Sequence, residues 1–223
     1  MRRSRRGDNA PPADTTPRWL IVGLGNPAAE YPETRHNIGA ETVRRLADKL
    51  GTAFKPHKKA GAQVADTFLR LRTSGVAADP GAQAGTPAGT PLSLVVPFGY
   101  YNTSGGPVQQ AMAFYKTPLE RLVVVHDDID LELARLRLKF GGGTAGNNGL
   151  KDIQRRCGGP NFYRVRIGIG RPPGRMDPAD YVLKRFSTRD REAIDVTVER
   201  APDAICDLIV LGLEAAQNRH HAA

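Results

Sequence analysis

Three short apolar runs constrain the fold of this chain more than any other feature of its sequence. Residues 18–24, 92–97 and 121–126 contain WLIV, LSLVV and LVVV. Each run has the length of a strand, and its continuous apolar character is typical of a parallel strand buried on both faces. The pattern predicts an α/β fold: a single domain with a twisted mixed, largely parallel sheet flanked by helices.

The segments between these runs have the periodicity of helices or of half-exposed strands. The C-terminal part begins at Ser187, a typical helix cap, and is expected to be interrupted before Pro202 because proline lacks the backbone donor. Helices are predicted at 37–50, 107–116, 150–157 and 187–218, and further strands at 62–72, 133–140 and 162–170.

Composition marks the ends of the domain. Residues 1–17 are basic and Pro-rich and are predicted to be a disordered tail. The Gly/Pro/Ala/Thr-rich segment 74–91 is predicted to be a flexible insertion, because the strand pattern resumes directly after it. The domain is expected to span 18–219, followed by a short tail at 220–223.

Composition also restricts the class of protein. No apolar run approaches the roughly eighteen residues of a membrane span, and no apolar segment follows the basic N-terminus as in a secretory signal. Cys157 and Cys206 form no CxxC pair and no histidine cluster accompanies them. We therefore expect no membrane insertion, no zinc site, and a cytoplasmic location where thiols stay reduced.

The net charge of +9 points to a polyanionic partner. Residues 1–17 contribute four Arg and two Asp, so most of the excess positive charge belongs to the body of the chain. Nucleic acid is the partner that such a surface favours. A generally basic surface without that role is the alternative.

Polar side chains cluster where the predicted strands end. In α/β sheets, ligands bind at the carboxyl edge of the parallel strands, which here means after Gly25, after Pro97 and after His126. His36 and Asp127 are both predicted at strand ends, and an imidazole beside a carboxylate is the smallest unit of general base catalysis. No Ser or Cys has a nucleophile context, so water is the expected nucleophile. By itself, however, His36 fits better as a polar residue near a helix start.

Four other motifs also have simpler structural interpretations. GLGNPA at 23–28 matches a dinucleotide fingerprint weakly, because the helix is expected only at about Asn37. HDDID at 126–130 has the carboxylates of a Mg²⁺ site but no partner cluster. GGGTAGNNG at 141–149 lacks the Gly-Lys-Ser/Thr ending of a P-loop, although its glycines allow close approach to a ligand. YYNTSGG at 100–106 alone reads as a turn.

Taken together, the motifs resemble those of the bacterial peptidyl-tRNA hydrolase family. The matching segments are GLGNPAAEYPETRHNIG, YYNTSG, HDDIDL, the GGG…NNGLKD loop and YRVRIGIGRPPGR, in the family's order from about 18 to 186. The resemblance implies a monomer without metal or cofactor that cleaves the ester joining a peptide to the 3' end of tRNA.

The resemblance also assigns roles to individual residues. His36 is expected to deprotonate water and Asp127 to orient and stabilise the imidazole. Asn26 is expected to act in catalysis and, with Asn102 and Asn148, to bind the peptide carbonyls and the oxyanion. Two tyrosines are expected to line the cleft, and basic residues to hold phosphates of the tRNA acceptor stem: Tyr31, Tyr100, Arg137, Lys139, Arg164 and Arg166.

The chain departs from the family pattern in four places. Tyr101 stands where methionine is usual, Asn147 where histidine is usual, and Ala28 and Ala145 where glycine is usual. These departures keep a second interpretation open, in which the chain is a catalytically weak or inactive paralogue that acts as an RNA-binding protein.

Overall fold

The computed structural model describes residues 17–70 and 89–221. The predicted tail at 1–17 and insertion at 74–91 lie almost entirely outside the described residues. The insertion was predicted to extend to residue 91, whereas Thr90 and Pro91 already belong to a strand.

Seven strands and six α-helices make up the described chain. The strands are β1 (Trp19–Gly23), β2 (Lys55–His57), β3 (Ala62–Leu69), β4 (Thr90–Pro97), β5 (Leu122–Asp128), β6 (Leu136–Phe140) and β7 (Tyr163–Gly168). The helices are α1 (Ile38–Lys49), α2 (Gly105–Tyr115), α3 (Asn148–Cys157), α4 (Pro178–Val182), α5 (Thr188–Leu211) and α6 (Leu213–His220). The short elements β2 and α4 were not predicted.

All seven strands form one sheet with the order β2-β3-β4-β1-β5-β7-β6. The pairs β4–β1, β1–β5 and β5–β7 are parallel, whereas β2–β3, β3–β4 and β6–β7 are antiparallel. The predicted mixed sheet is confirmed. It is parallel only in its four central strands, β4, β1, β5 and β7, and the strands at both edges run antiparallel to their neighbours.

Helices cover both faces of the sheet and produce two hydrophobic cores. Successive residues of a strand point to opposite faces, so Ile21 and Val123 pack towards α1 and α5, whereas Leu20 and Val124 pack towards α2 and α3. Burial on both faces explains the continuous apolar runs of β1 and β5.

Helix α5 continues through Pro202, where an interruption was predicted. Pro202 and its neighbours Ala201, Ala204 and Ile205 are buried against the sheet. This packing outweighs the missing backbone hydrogen bond, and the helix ends instead at Gly212, whose φ of 85° breaks it.

The C-terminal boundary of the domain also differs from the prediction. His220 is the last residue of α6. His221 comes next in the chain and lies against the edge strand β6. The backbone N–H of Leu138 donates to Nε2 of His221 (2.8 Å), and its carbonyl accepts from Gln217 (2.9 Å). These bonds cover backbone groups that an edge strand otherwise leaves unpaired, so residues 220–221 belong to the domain.

Two glycines allow α1 to lie directly against the sheet. A Cβ on Gly39 would lie 2.2 Å from the carbonyl oxygen of Val125, and one on Gly23 would lie 2.5 Å from the carbonyl oxygen of Gly39. The backbone of Leu24 bridges the two elements, donating to Val125 (3.0 Å) and accepting from Ala40 (2.8 Å). The first turn of α1 is thereby fixed at the carboxyl end of β5.

We expect Gly39→Ala to lower the free energy of unfolding by about 1–3 kcal/mol, because the added methyl group forces α1 away from β5. Gly106→Ala is the matched control, since that position in α2 has open space around it and alanine favours a helix. Urea denaturation of both variants provides the measurement. Equal stabilities would contradict the tight approach.

Candidate active site

A cleft lies at the carboxyl edge of the parallel strands, where three chain segments meet. Asn26 follows β1, and the 3₁₀ turn Tyr101–Thr103 follows β4. Asp127 is the last residue but one of β5. Because β4, β1 and β5 are adjacent and parallel, all three segments line the same cleft. The predicted convergence of these strand ends is thus present in the fold.

His36 reaches the cleft by a different route from the one predicted. It lies in a 3₁₀ turn, Arg35–Asn37, that leads into α1, and not at the end of a strand. The neighbouring side chains hold this turn in place. Asn37 accepts from the backbone N–H of Asn26 (2.7 Å) and donates to the carbonyl of Tyr31 (2.7 Å).

Arg35, on the other side of His36, is buried and fixes the turn to the chain before α5. Its guanidinium donates to the carbonyls of Lys184 (3.1 Å) and Arg185 (2.8 Å). It also lies over the ring of Tyr181, 4.1 Å from the centroid. Both neighbours of His36 in sequence therefore have structural roles, and the imidazole is left to face the cleft.

His36 and Asp127 are in direct contact although 91 residues separate them. Nδ1 of His36 lies 3.0 Å from Oδ1 and 2.9 Å from Oδ2 of Asp127. The carboxylate side chain is 3% exposed and the imidazole 18%. Asp127 is thus screened from solvent, whereas His36 remains accessible from the cleft.

Asp127 is held in its ionised form. Burial acts to raise its pKa, but the charge of His36 and hydrogen bonds from His36 and Tyr101 outweigh burial and leave the pKa below the ordinary value. An ionised Asp127 accepts the proton on Nδ1 of His36, so the lone pair of the neutral ring lies on Nε2. Nε2 is then the nitrogen available to accept a proton in the cleft.

Tyr101 takes part in this constellation, although it was singled out only as a departure from the family pattern. Its hydroxyl donates to Oδ1 of Asp127 (2.7 Å), and its ring stacks on the imidazole of His36 with centroids 3.5 Å apart. The signal for it was its position between Tyr100 and Asn102, in a turn already assigned to the cleft.

Asn147 is a second departure from the family pattern that takes part in the site. Its side-chain oxygen caps α3 by accepting from the backbone of Leu150 (3.0 Å), and its nitrogen donates to the hydroxyl of Tyr101 (2.8 Å). The Asx cap of α3 was readable from the sequence, but the contact with Tyr101 was not, since 46 residues separate them.

The other predicted binding residues also line the cleft. The side-chain oxygen of Asn26 accepts from the backbone of Tyr101 (2.9 Å), which orients its amide. Asn102, in the turn after β4, and Asn148, the first residue of α3, are both exposed. Tyr31 and Tyr100 pack edge to face with centroids 6.5 Å apart, forming an aromatic wall.

The four predicted phosphate-binding residues separate into two pairs. Lys139, Arg164 and Arg166 all border the cleft, but of these three only Lys139 and Arg166 are partly exposed. Nε of Arg166 donates to Asp128 (2.8 Å), so its terminal nitrogens stay available. The side chain of Lys139 forms no hydrogen bond or ion pair within residues 17–70 and 89–221, and its pKa is lowered by partial burial and by Arg164 and Arg166.

Arg164 and Arg137 are placed differently from the prediction. Arg164 is 2% exposed and donates to the carbonyls of Gly142 and Gly143, so it supports the glycine loop instead of facing solvent. Arg137 donates to the carbonyl of His221 (3.0 Å) at the edge strand and does not line the cleft. Alternation along a strand indicates which side chains share a face of that strand, but it does not show which loop or helix covers them.

The carboxylates of HDDID are engaged with protein groups. Asp127 binds His36 and Tyr101, and Asp128 binds Arg166 and the backbone of Asp130. Among the described residues, no three His, Cys, Asp or Glu side chains are placed to hold a metal ion. Nor does GLGNPA open a helix, since α1 begins only at Ile38, so the dinucleotide geometry does not form.

Comparison with known proteins agrees with this cleft. A family model described as peptidyl-tRNA hydrolase matches residues 20–223. The chain belongs to the peptidyl-tRNA hydrolase family. The match extends to the last residue and agrees with the placement of residues 220–221 inside the domain.

Relatives resemble the chain over almost its whole length. A peptidyl-tRNA hydrolase of Streptomyces avermitilis is 44% identical, covering 97% of this chain and 100% of its own. One of Mycolicibacterium smegmatis is 45% identical, covering 91% and 97%. A crystal structure of peptidyl-tRNA hydrolase from Acinetobacter baumannii is 33% identical with a TM-score of 0.80, covering 93% of this chain and 96% of that one. In the part of the chain that the structure describes, no helix is long and apolar enough to cross a membrane.

The glycine loop of this family member depends on Arg164. Ala145, one of the departures from the family pattern, has a φ of 46°, which is strained for a residue with a Cβ. The two carbonyls bound by the buried guanidinium hold the loop against the sheet despite this strain.

We expect Arg164→Met to lower the free energy of unfolding by about 2–3 kcal/mol, because it removes two charge-assisted hydrogen bonds from a buried site. Arg155→Met is the control, since Arg155 pairs with Asp152 while 71% exposed, and such pairs contribute about 0–1 kcal/mol. Thermal or urea denaturation distinguishes the two. A loss no larger for Arg164 than for Arg155 would mean that the guanidinium does not hold the loop.

Proposed function

We infer that this chain hydrolyses the ester bond between peptide and tRNA in peptidyl-tRNA, releasing tRNA for reuse. The observation that carries the inference is the contact of His36 with the buried carboxylate of Asp127, inside a cleft lined by four asparagines. Membership of the peptidyl-tRNA hydrolase family gives the substrate.

In the proposed reaction, water is the nucleophile and His36 is the base. Nε2 takes a proton from water, and the imidazolium that forms is stabilised by Asp127 through Nδ1. A general base of this kind contributes about 10² to 10⁴-fold to the rate. The imidazolium can then return its proton to the ribose oxygen as the ester bond breaks. No metal or covalent intermediate is required, because an ester with a ribose leaving group is activated enough.

The asparagines supply neutral hydrogen bonds to the acyl part of the substrate. We propose that Asn26, Asn102 and Asn148 bind peptide carbonyls and the oxyanion, for which one well-placed donor contributes about 2.7–4 kcal/mol. Tyr31 and Tyr100 provide the apolar wall for the peptide. Neutral amides also favour a blocked amine, since they present no carboxylate to a free ammonium group.

We propose that Lys139 and Arg166 hold phosphates of the acceptor stem beside the 3' end. Both border the cleft and are partly exposed, whereas Arg137 lies outside the cleft and Arg164, which borders it, is buried and bonded to the glycine loop. Phosphate contacts fix the position of any tRNA without reading its sequence. Such binding suits an enzyme that must act on many different tRNAs.

We further propose that the enzyme acts as a monomer in the cytoplasm, without a cofactor. Burial raises the pKa of Cys157 to about 12 and that of Cys206 to about 11, which keeps both thiols protonated and unreactive. Size-exclusion chromatography with light scattering tests the monomer.

We expect His36→Ala to lower kcat for a purified N-acylated aminoacyl-tRNA by about 10² to 10⁴-fold, because the base is lost. Binding of tRNA should remain, since the basic residues are untouched. His220→Ala is the control, because His220 pairs with Asp207 (2.9 Å) outside the cleft. The readout is release of the peptide from the tRNA over time.

Two outcomes separate the proposal from its alternative. A wild-type protein that binds tRNA tightly but releases no peptide would favour an RNA-binding relative, for which the departures at Tyr101 and Asn147 give a reason. A His36→Ala variant that turns over as fast as wild type would show that another group activates water.

We expect Lys139→Ala to weaken tRNA binding and to reduce the slope of log K against log[salt] by about 0.9, the value for one lost phosphate contact. Lys49→Ala is the control, because Lys49 pairs with Asp203 at the far end of α1. Binding titrations at several salt concentrations give both slopes. Identical slopes for the two variants would move the phosphate contacts away from the cleft.

A further inference from the structure

We propose that Tyr101, anchored by Asn147, is a positioning residue that weakens the hold of Asp127 on the proton of His36 and so sets the lower pH limit of activity. The proposal deepens the proposed function, on which its kinetic test rests. It concerns two side chains that were not assigned a role from the sequence.

The hydrogen-bond chain from Asn147 to Asp127 has a fixed direction. The oxygen of Asn147 is engaged by the backbone of Leu150, so its nitrogen faces Tyr101 and donates to the hydroxyl (2.8 Å). An ionised carboxylate can only accept. The hydroxyl therefore donates its own proton to Oδ1 of Asp127 (2.7 Å), and Tyr101 is both an acceptor and a donor.

The ring of Tyr101 cannot turn away from this arrangement. One face stacks on the imidazole of His36, with an interplanar angle of 6°. On another side, Gly149 lies so close that an added Cβ would be 2.7 Å from Cε1 of the ring. The residue is 2% exposed. Packing thus holds the hydroxyl on Asp127.

The hydroxyl competes with His36 for the same carboxylate. Oδ1 of Asp127 lies within hydrogen-bond distance of both Tyr101 and Nδ1 of His36. A second donor spreads the negative charge and weakens the attraction of the carboxylate for an imidazolium. Burial and the charge of Asp127 keep the pKa of Tyr101 well above its ordinary value, so the donor persists across the working pH range.

Other charged and titratable groups among the described residues line the cleft around His36 and Asp127. They are His126 and Asp128 on β5, Lys139 on β6, Arg164 and Arg166 on β7, and Asp177 before α4, together with the phenols of Tyr31 and Tyr100. Burial lowers the pKa of His126, which favours its neutral form. Asp128 pairs with Arg166. None of them donates to Asp127 through a side chain, as Tyr101 does.

The test is the pH profile of kcat/KM for an N-acylated aminoacyl-tRNA, measured for wild type and Tyr101→Phe. Phenylalanine keeps the stacked ring and removes only the hydroxyl. We expect the acid-side midpoint to rise by about 0.5 pH unit, and kcat/KM below it to fall about threefold. The alkaline plateau should be kept, because His36 is then unprotonated in both proteins. KM at the plateau should not change.

Asn147→Ser is a second variant that retains a good helix cap but cannot reach Tyr101. It should move the midpoint in the same direction by a smaller amount. Tyr115→Phe is the control, since Tyr115 donates to Asp66 (3.1 Å) outside the cleft and its loss should leave the profile unmoved.

An NMR titration of the His36 imidazole in the absence of substrate gives a readout that does not depend on activity. A shift in both the titration and the kinetic profile supports the proposal. A shift in the titration of a protein without activity would retain the role of Tyr101 and reject the proposed function. Unchanged titration midpoints, or a lowered alkaline plateau with an unmoved midpoint, would overturn the proposal.

Discussion

The close approach of α1 to the sheet is the constraint on which the site depends. Gly39 lies against the carbonyl of Val125, so the turn before α1 reaches the carboxyl end of β5. His36 is in that turn and Asp127 is two residues beyond Val125. The contact of base and carboxylate is therefore a consequence of backbone packing, and any side chain at Gly39 acts on the chemistry as well as on stability.

Burial of Asp127 gives the site its electrostatic character. A carboxylate that is 3% exposed is costly unless donors replace water. His36 and Tyr101 provide these donors, and a depressed pKa is the result. Because the number of donors is small, each one affects the others. A hydroxyl on Asp127 thus alters the basicity of His36 without touching substrate.

The basic side chains of β6 and β7 have different roles in the folded protein. Lys139 and Arg166 face the cleft, whereas Arg164 is enclosed and holds the glycine loop. Alternation within each strand indicates that Arg137 and Lys139 share one face of β6 and that Arg164 and Arg166 share one face of β7. It could not predict the difference between them, because exposure depends on the loop and on α6, which arrive from distant parts of the chain.

The sequence alone determined the α/β class, the central strands and the carboxyl edge as the site, because continuous apolar runs and parallel pairing follow from local pattern. Its motifs gave His36, Asp127 and the asparagines through resemblance. Only the tertiary structure decided the contacts of Tyr101 with His36, Asp127 and Asn147, and the path of α5 through Pro202. These depend on distances between residues far apart in sequence, and on packing that outweighs local preference.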